Sequence, residues 1–146
     1  MTIPKRDSLL AVNIIVPLII GLLIYLTKDE RTYLSDNLSV LRSVLPTISY
    51  PDLIRSFACD FLWTYSLFFC LRLSLGDSLK GKYNLTVITV TGIVAIILEI
   101  LQLLKGVPGT FDPWDIVTEL IAIAVAFLIT TIIERRFKYY EEKSIS

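Results

Sequence analysis

The stretch EILQLLKGVPGTFDPWDIVTEL, residues 99–120, joins two long apolar runs and carries every charged side chain of residues 85–133. Residues 85–104 on its upstream side and residues 113–133 on its downstream side contain few polar residues. Apolar runs of this length, separated by a short polar connection, are typical of two membrane-spanning helices joined by a loop. The stretch therefore indicates both a fold class and a place where polar chemistry is concentrated.

Two further apolar blocks, residues 8–26 and 53–75, precede this pair. A hydrocarbon core about 30 Å thick takes ~20 helical residues, and each of the four blocks meets that length. The blocks do not alternate as barrel strands do. The 146 residues are 54% hydrophobic, with a mean hydropathy of +0.68. We predict one all-α membrane domain over residues 1–146, a bundle of four transmembrane helices.

The connection between the first two spans has a pattern of its own. Leu34, Leu38, Leu41 and Leu45 recur at helical spacing, with polar residues between them. This spacing predicts a short amphipathic helix in the membrane interface. The alternative is a surface helix that only packs across the bundle, and the pattern leaves both open.

The orientation is predicted from the lysines and arginines of the loops. Nine of them fall on the side that holds both termini and the loop after the second span, and five fall on the other side. Because cytoplasmic loops carry the excess of basic residues, we expect both termini in the cytoplasm of a multi-pass cell-membrane protein.

With that orientation, polar residues of three spans fall at a similar depth near the outer surface. Glu99 and Gln102 are spaced i,i+3, and Asp115 and Glu119 are spaced i,i+4, so that each pair shares a helix face. Ionisable residues in a membrane normally face the bundle interior or a wet cavity. We predict one polar pocket that opens outward. Its candidate ligand-binding residues are Arg55, Asp60, Trp63, Glu99, Gln102, Lys105, Asp112, Asp115 and Glu119.

Several of these residues also have structural explanations. Asp112 precedes Pro113 in an Asp-Pro-x-Asp pattern and is expected to cap a helix. Trp63 suits a position at the membrane interface, and Lys105 suits a helix C-terminus. Arg55 and Lys105 are the obvious cations. No such explanation covers the carboxylates that lie inside apolar surroundings: Asp60, Glu99 and Glu119.

The balance of charge limits the function classes. Lys+Arg and Asp+Glu both number 14, so nothing favours nucleic acid as a partner. The chain has no histidine, and its two cysteines form no metal-binding pattern, so we expect no metal site and no cofactor. Catalytic residues cannot be assigned, because no nucleophile motif or glycine-rich phosphate loop accompanies the carboxylates.

Part of the chain resembles a known family. Glu99-x-x-Gln102, a short loop with a basic residue, and Phe111-Asp112-x-x-Asp115 are similar to the central signature of VanZ-like membrane proteins. The segment that begins Asp60-Phe61-Leu62-Trp63 resembles the preceding helix of that family, so the likeness covers residues 52–130. This chain has Lys105 near where an arginine is usual, and it has no histidine after Asp60.

The resemblance implies a bacterial inner-membrane protein of the cell envelope, in a family whose founding member is associated with resistance to the glycopeptide teicoplanin. We therefore expect the outer pocket to bind a lipid, a lipid-linked head-group or an envelope-active compound such as a glycopeptide antibiotic. Two alternatives stay open: a small subunit of a larger membrane complex or transporter, and an acid/base enzyme acting on a lipid head-group. The expected partners are membrane lipids, with a homo-oligomer or a membrane-complex partner left open.

Overall fold

The computed structural model describes residues 5–29, 36–75, 83–106 and 112–145, and these residues form an all-α bundle. Its helices are α1 (Lys5–Thr27), α2 (Ser39–Val44), α3 (Asp52–Leu75), α4 (Tyr83–Leu103) and α5 (Pro113–Ile145). Four of them, α1, α3, α4 and α5, are long and apolar enough to cross a membrane. The predicted polytopic helical bundle is confirmed.

Helix α5 is much longer than the predicted span of residues 113–133. It has 33 residues, about 50 Å at 1.5 Å per residue, which exceeds the hydrocarbon thickness of a bilayer. Hydropathy predicts where a chain leaves the hydrocarbon region of the bilayer, but it does not predict where the helix ends. Lysine, arginine and glutamate are good helix formers, so the charged sequence after Ile133 continues the same helix.

Helix α3 lies at the centre of the bundle and packs against α1, α5 and α4. It is also the span with the lowest mean hydropathy and the largest buried share. Its polar side chains Thr64 and Ser66 are buried, whereas α1 leaves apolar side chains such as Ile15 and Ile19 exposed. The more polar helix is thus shielded by protein, and the more apolar helix is left for lipid.

The core is built from aromatic side chains of α3 against small side chains of α5. Phe68 and Phe69 are fully buried, and so are Ala122 and Ala126. Small residues let helix backbones approach closely, which drives association in membranes more than apolarity does. The Tyr65 hydroxyl on α3 donates a hydrogen bond to the Asn13 side chain on α1 at 2.5 Å.

The two ends of the bundle differ in how their charges are paired. We call the end where α1 and α4 finish and α3 and α5 begin the first end, and the opposite end the second end. At the second end, Arg72 of α3 is buried and donates from Nε to Glu134 of α5 at 2.5 Å. A second guanidinium nitrogen of Arg72 also contacts this carboxylate. The ion pair ties the central helix to α5.

Residues 42–50 contact the end of α1 at the first end of the bundle. The Ile48 N–H donates to the Thr27 carbonyl at 2.7 Å, and the Thr27 and Tyr50 hydroxyls are 2.8 Å apart. Arg42 beside them donates to the Lys28 carbonyl at 3.0 Å, which caps the end of α1. These contacts fix the position of the last residues of α1.

The predicted helix in this connection is present as α2. It has six residues, fewer than the leucine stripe suggested, and none of them is buried. Val40 and Val44, one turn apart, are its most exposed apolar side chains. Leu34, the first residue of the stripe, lies outside the described residues.

Candidate functional site

Four carboxylates from three helices come together inside the first end of the bundle. Asp60 of α3 lies within electrostatic range of Asp115 and Glu99. Glu119 of α5 lies within range of Glu99, Asp60 and Asp115. We call these four residues, Asp60, Glu99, Asp115 and Glu119, the acidic cluster. All four are among the residues predicted to line the pocket.

Glu99 and Glu119 form the buried part of the acidic cluster. Glu99 is 3% exposed and Glu119 is 4% exposed. The Thr64 hydroxyl of α3 donates to Glu119 Oε1 at 3.5 Å. The other oxygens, Glu99 Oε2 and Glu119 Oε2, are fully buried and have no hydrogen-bond partner in the described part of the chain. A buried acceptor without a donor is costly, and more so when it is charged.

Asp112, Asp115 and Glu119 form a stripe that leads from the start of α5 towards the buried glutamates. Their i, i+3 and i+7 spacing puts them on one helix face. Asp115 and Glu119 lie about 4.5 and 10.5 Å beyond Asp112 along the helix axis, at 1.5 Å per residue. Asp112 and Asp115 are half-buried, and Glu119 is buried. The stripe therefore joins the end of the bundle to its interior.

Lys28, at the end of α1, is a cation beside the acidic cluster. Its side chain is largely buried, and Nζ lies 4.8 Å from the centre of the Tyr25 ring. Lys28 lies within electrostatic range of Asp60, although no ion pair within 4 Å joins the two. The capping of α1 by Arg42 holds the Lys28 backbone in place.

The structure describes three further residues that were predicted to line the pocket: Arg55, Lys105 and Trp63. Arg55 pairs with Asp52, one turn earlier in α3, at 2.7 Å. Lys105 is exposed just beyond α4, with a left-handed φ of 55°. Such a residue commonly ends a helix, and the adjacent N–H of Gly106 bonds to the Leu101 carbonyl at 2.7 Å. Trp63 of α3 is 48% exposed on the surface of the bundle, as expected of an interfacial tryptophan.

Asp112 and Gln102 lie at the edge of the acidic cluster. Asp112 accepts a hydrogen bond from the Trp114 N–H at 3.0 Å, so it caps α5 as its sequence pattern predicts. Its charge also lies within electrostatic range of Glu99 and Asp115. Gln102 is half-buried one turn beyond Glu99 on the same face of α4.

Three neighbours of the acidic cluster were not predicted from the sequence: Lys28, Tyr25 and Thr64. Lys28 follows an apolar block directly and was counted only as a loop cation. Tyr25 and Lys28 are spaced i,i+3 at the end of α1, which is a usable signal for a shared helix face. Thr64 follows Asp60 by one turn, so it points the same way from α3.

The acidic cluster does not have the geometry of a metal site. Within the ranges that the structure describes, no three Cys, Asp or Glu side chains are placed so that they could hold one ion. Its carboxylates are spread over three helices and along the α5 stripe. Such a spread suits a ligand that is larger than a single ion.

Comparison with family models, with curated proteins and with solved structures finds no match to this chain. The likeness of residues 52–130 to VanZ-like proteins rests on the quoted motif residues alone, and it stays a prediction. Phe111, which belongs to that motif, lies outside the described residues.

Proposed function

We propose that the protein binds the polar head-group of a lipid or of a lipid-linked molecule in the acidic cluster. One observation supports the proposal: Glu99 Oε2 and Glu119 Oε2 are both buried, and no described residue donates a hydrogen bond to either of them. An unpartnered carboxylate at membrane depth opposes insertion and folding. A bound molecule that supplies donors there removes this cost and explains why the glutamates are present.

The proposal includes an orientation. We place both termini in the cytoplasm, in line with the nine-to-five distribution of lysine and arginine. The first end of the bundle then faces the outer leaflet of a bacterial inner membrane. The α5 stripe from Asp112 to Glu119 runs from that surface inward, so a head-group enters while its acyl chains stay in lipid.

A binding site at one depth is better supported than a pathway through the bundle. The second end carries the ion pair between Arg72 and Glu134. Among the residues whose side chains are described, Glu134 is paired with a cation, whereas Glu99 Oε2 and Glu119 Oε2 have no hydrogen-bond partner. An ion crossing the bundle would therefore meet a closed ion pair instead of a second open acidic site.

The likeness to VanZ-like proteins is compatible with this proposal. It adds lipid-linked envelope precursors and glycopeptide antibiotics as ligand classes to be tested beside phospholipids. The acidic cluster itself favours ligands that offer donors and positive charge, whichever of these molecules carries them.

The experiment is native mass spectrometry of the protein extracted from membranes in a mild detergent. The wild-type protein is expected to retain lipid from a bacterial polar lipid extract. Glu99→Gln and Glu119→Gln remove one charge each with little change of volume, and both are expected to lose the bound lipid.

Asp36→Asn is the matched control. Asp36 is an exposed carboxylate in the connection at the same end of the bundle, outside the acidic cluster. The control is expected to retain lipid as the wild type does. Equal retention by the wild type and both glutamine variants would overturn the proposal, and so would the absence of any retained lipid or lipid-linked molecule.

A further inference from the structure

We propose that the group recognised by the acidic cluster is a primary ammonium group, as in an ethanolamine head-group or an amino sugar. The inference rests on the proposed function and goes further, because it names the chemistry of the ligand. Three observations support it. Buried carboxylate oxygens lack donors, acidic groups outnumber basic groups at the site, and the ammonium group of Lys28 lies against the Tyr25 ring.

Among the described residues, the buried atoms at the site that lack a hydrogen-bond partner are acceptors. Glu99 Oε2 and Glu119 Oε2 are carboxylate oxygens, and each needs a donor. A primary ammonium group has three N–H donors and no acceptor, as in a lysine side chain. Its donors therefore match the acceptor oxygens that Glu99 and Glu119 present at the site. A quaternary ammonium has no N–H, and a phosphate or carboxylate ligand brings further acceptors.

Among the described residues, acidic groups outnumber basic groups at the site. The acidic cluster contributes four carboxyl groups and Asp112 a fifth at its edge, whereas Lys28 lies within electrostatic range of Asp60. Charge-assisted hydrogen bonds to a cation are about twice as strong as bonds between neutral groups. A neutral hydroxyl donor would satisfy an oxygen atom and leave the charge uncompensated. A ligand that is both a donor and a cation meets both needs.

The protein already holds one ammonium group beside the acidic cluster. Lys28 Nζ lies 4.8 Å from the centre of the Tyr25 ring, a cation–π arrangement that partly replaces lost hydration. Lys28 acts on Asp60, which leaves Glu99 and Glu119 for a second cation. A bare metal ion fits less well, since no three described carboxylates converge as ligands.

The amine can belong to a lipid head-group or to a soluble molecule. The test measures the thermal unfolding midpoint of the protein in detergent as a function of added ligand, which gives an apparent affinity by mass action. The lipid arm compares lyso-phosphatidylethanolamine with lyso-phosphatidylcholine and lyso-phosphatidylglycerol of the same acyl chain. The soluble arm uses ethanolamine and glucosamine.

The ethanolamine lipid is expected to bind at least about tenfold more tightly than the other two, a difference of ~1.4 kcal/mol. Glu99→Gln and Glu119→Gln are each expected to weaken that binding about tenfold or more, because a charge-assisted bond is lost. Asp36→Asn is expected to leave it unchanged. Binding of ethanolamine or glucosamine with the same dependence on Glu99 supports the inference and identifies a soluble source.

Three outcomes would overturn the inference, and they differ in what they say of the proposed function. Equal binding of the three lipids, lost in Glu99→Gln, rejects the amine and keeps the head-group site. Preference for the ethanolamine lipid that survives both glutamine substitutions moves amine recognition away from the acidic cluster. No binding of any lipid or amine that depends on Glu99 or Glu119 rejects both.

Discussion

Replacing Glu99 by leucine is expected to stabilise the ligand-free protein, although it removes a central residue of the site. Glu99 is 3% exposed, and its Oε2 atom has no hydrogen-bond partner among the residues that the structure describes. An unsatisfied buried polar group costs about 1–3 kcal/mol, and more when it is charged. Leucine is in addition a better helix former and a better membrane residue. A gain of about 1–3 kcal/mol raises the unfolding midpoint by roughly 3–10 °C for a chain of this size.

The same substitution at the second end is the control, and it is expected to have the opposite sign. Glu134 is bonded to the buried side chain of Arg72. Glu134→Leu removes a hydrogen bond to a charged group, worth about 1.5–3 kcal/mol. Thermal unfolding of both variants in lipid-free detergent measures the two shifts. If the unfolding midpoint falls for Glu99→Leu as it does for Glu134→Leu, Glu99 is a structural partner within the bundle, and the prediction is wrong.

Three further predictions concern the bundle and its orientation. Asp112→Ala is expected to cost about 1 kcal/mol of stability, because the Trp114 N–H loses its capping acceptor. Asp112→Asn is expected to keep most of that stability, and the unfolding midpoints of the two variants check both expectations. A double-mutant cycle of Tyr65→Phe with Asn13→Ala is expected to show a coupling of about 0.6–1.7 kcal/mol, the size of hydrogen bonds between membrane helices; a coupling near zero would contradict the contact. Reporter fusions are expected to place the C-terminus in the cytoplasm and residues 28–51 outside, and a reporter at the C-terminus that is active only outside the cell would reverse the orientation.

The four spans could be predicted from the sequence because hydropathy and length are local properties. The C-terminal end of α5 could not be predicted in this way, because the charged residues after Ile133 lie beyond the apolar span and still form helix. The bounds of α1 and α4 agree with the predicted spans to within a few residues. What decides a helix end, such as the left-handed Lys105 after α4, is backbone geometry that hydropathy does not describe.

The acidic cluster could be predicted in part. The i,i+3 and i,i+4 spacings fixed the faces of α4 and α5, and the three buried or half-buried carboxylates Asp60, Glu99 and Glu119 had no capping explanation. Asp52, three residues before Arg55, was an available signal for the ion pair that Arg55 makes.

Lys28 could not be placed from the sequence, because its position depends on contacts distant along the chain. Arg42 holds the end of α1 from 14 residues away, and Ile48 adds a backbone hydrogen bond. Without those contacts a lysine after a span is expected to reach the head-groups. Here it is held against Tyr25 and faces the acidic cluster.

The most direct test of the central claim is an experimental structure of the protein in nanodiscs made from native lipid. We expect density for a non-protein group within hydrogen-bond distance of Glu99 Oε2 and Glu119 Oε2, continuous with acyl chains beside α5. If both oxygens are instead bonded to side chains of the protein, with no additional density between α3, α4 and α5, the proposed head-group site is wrong.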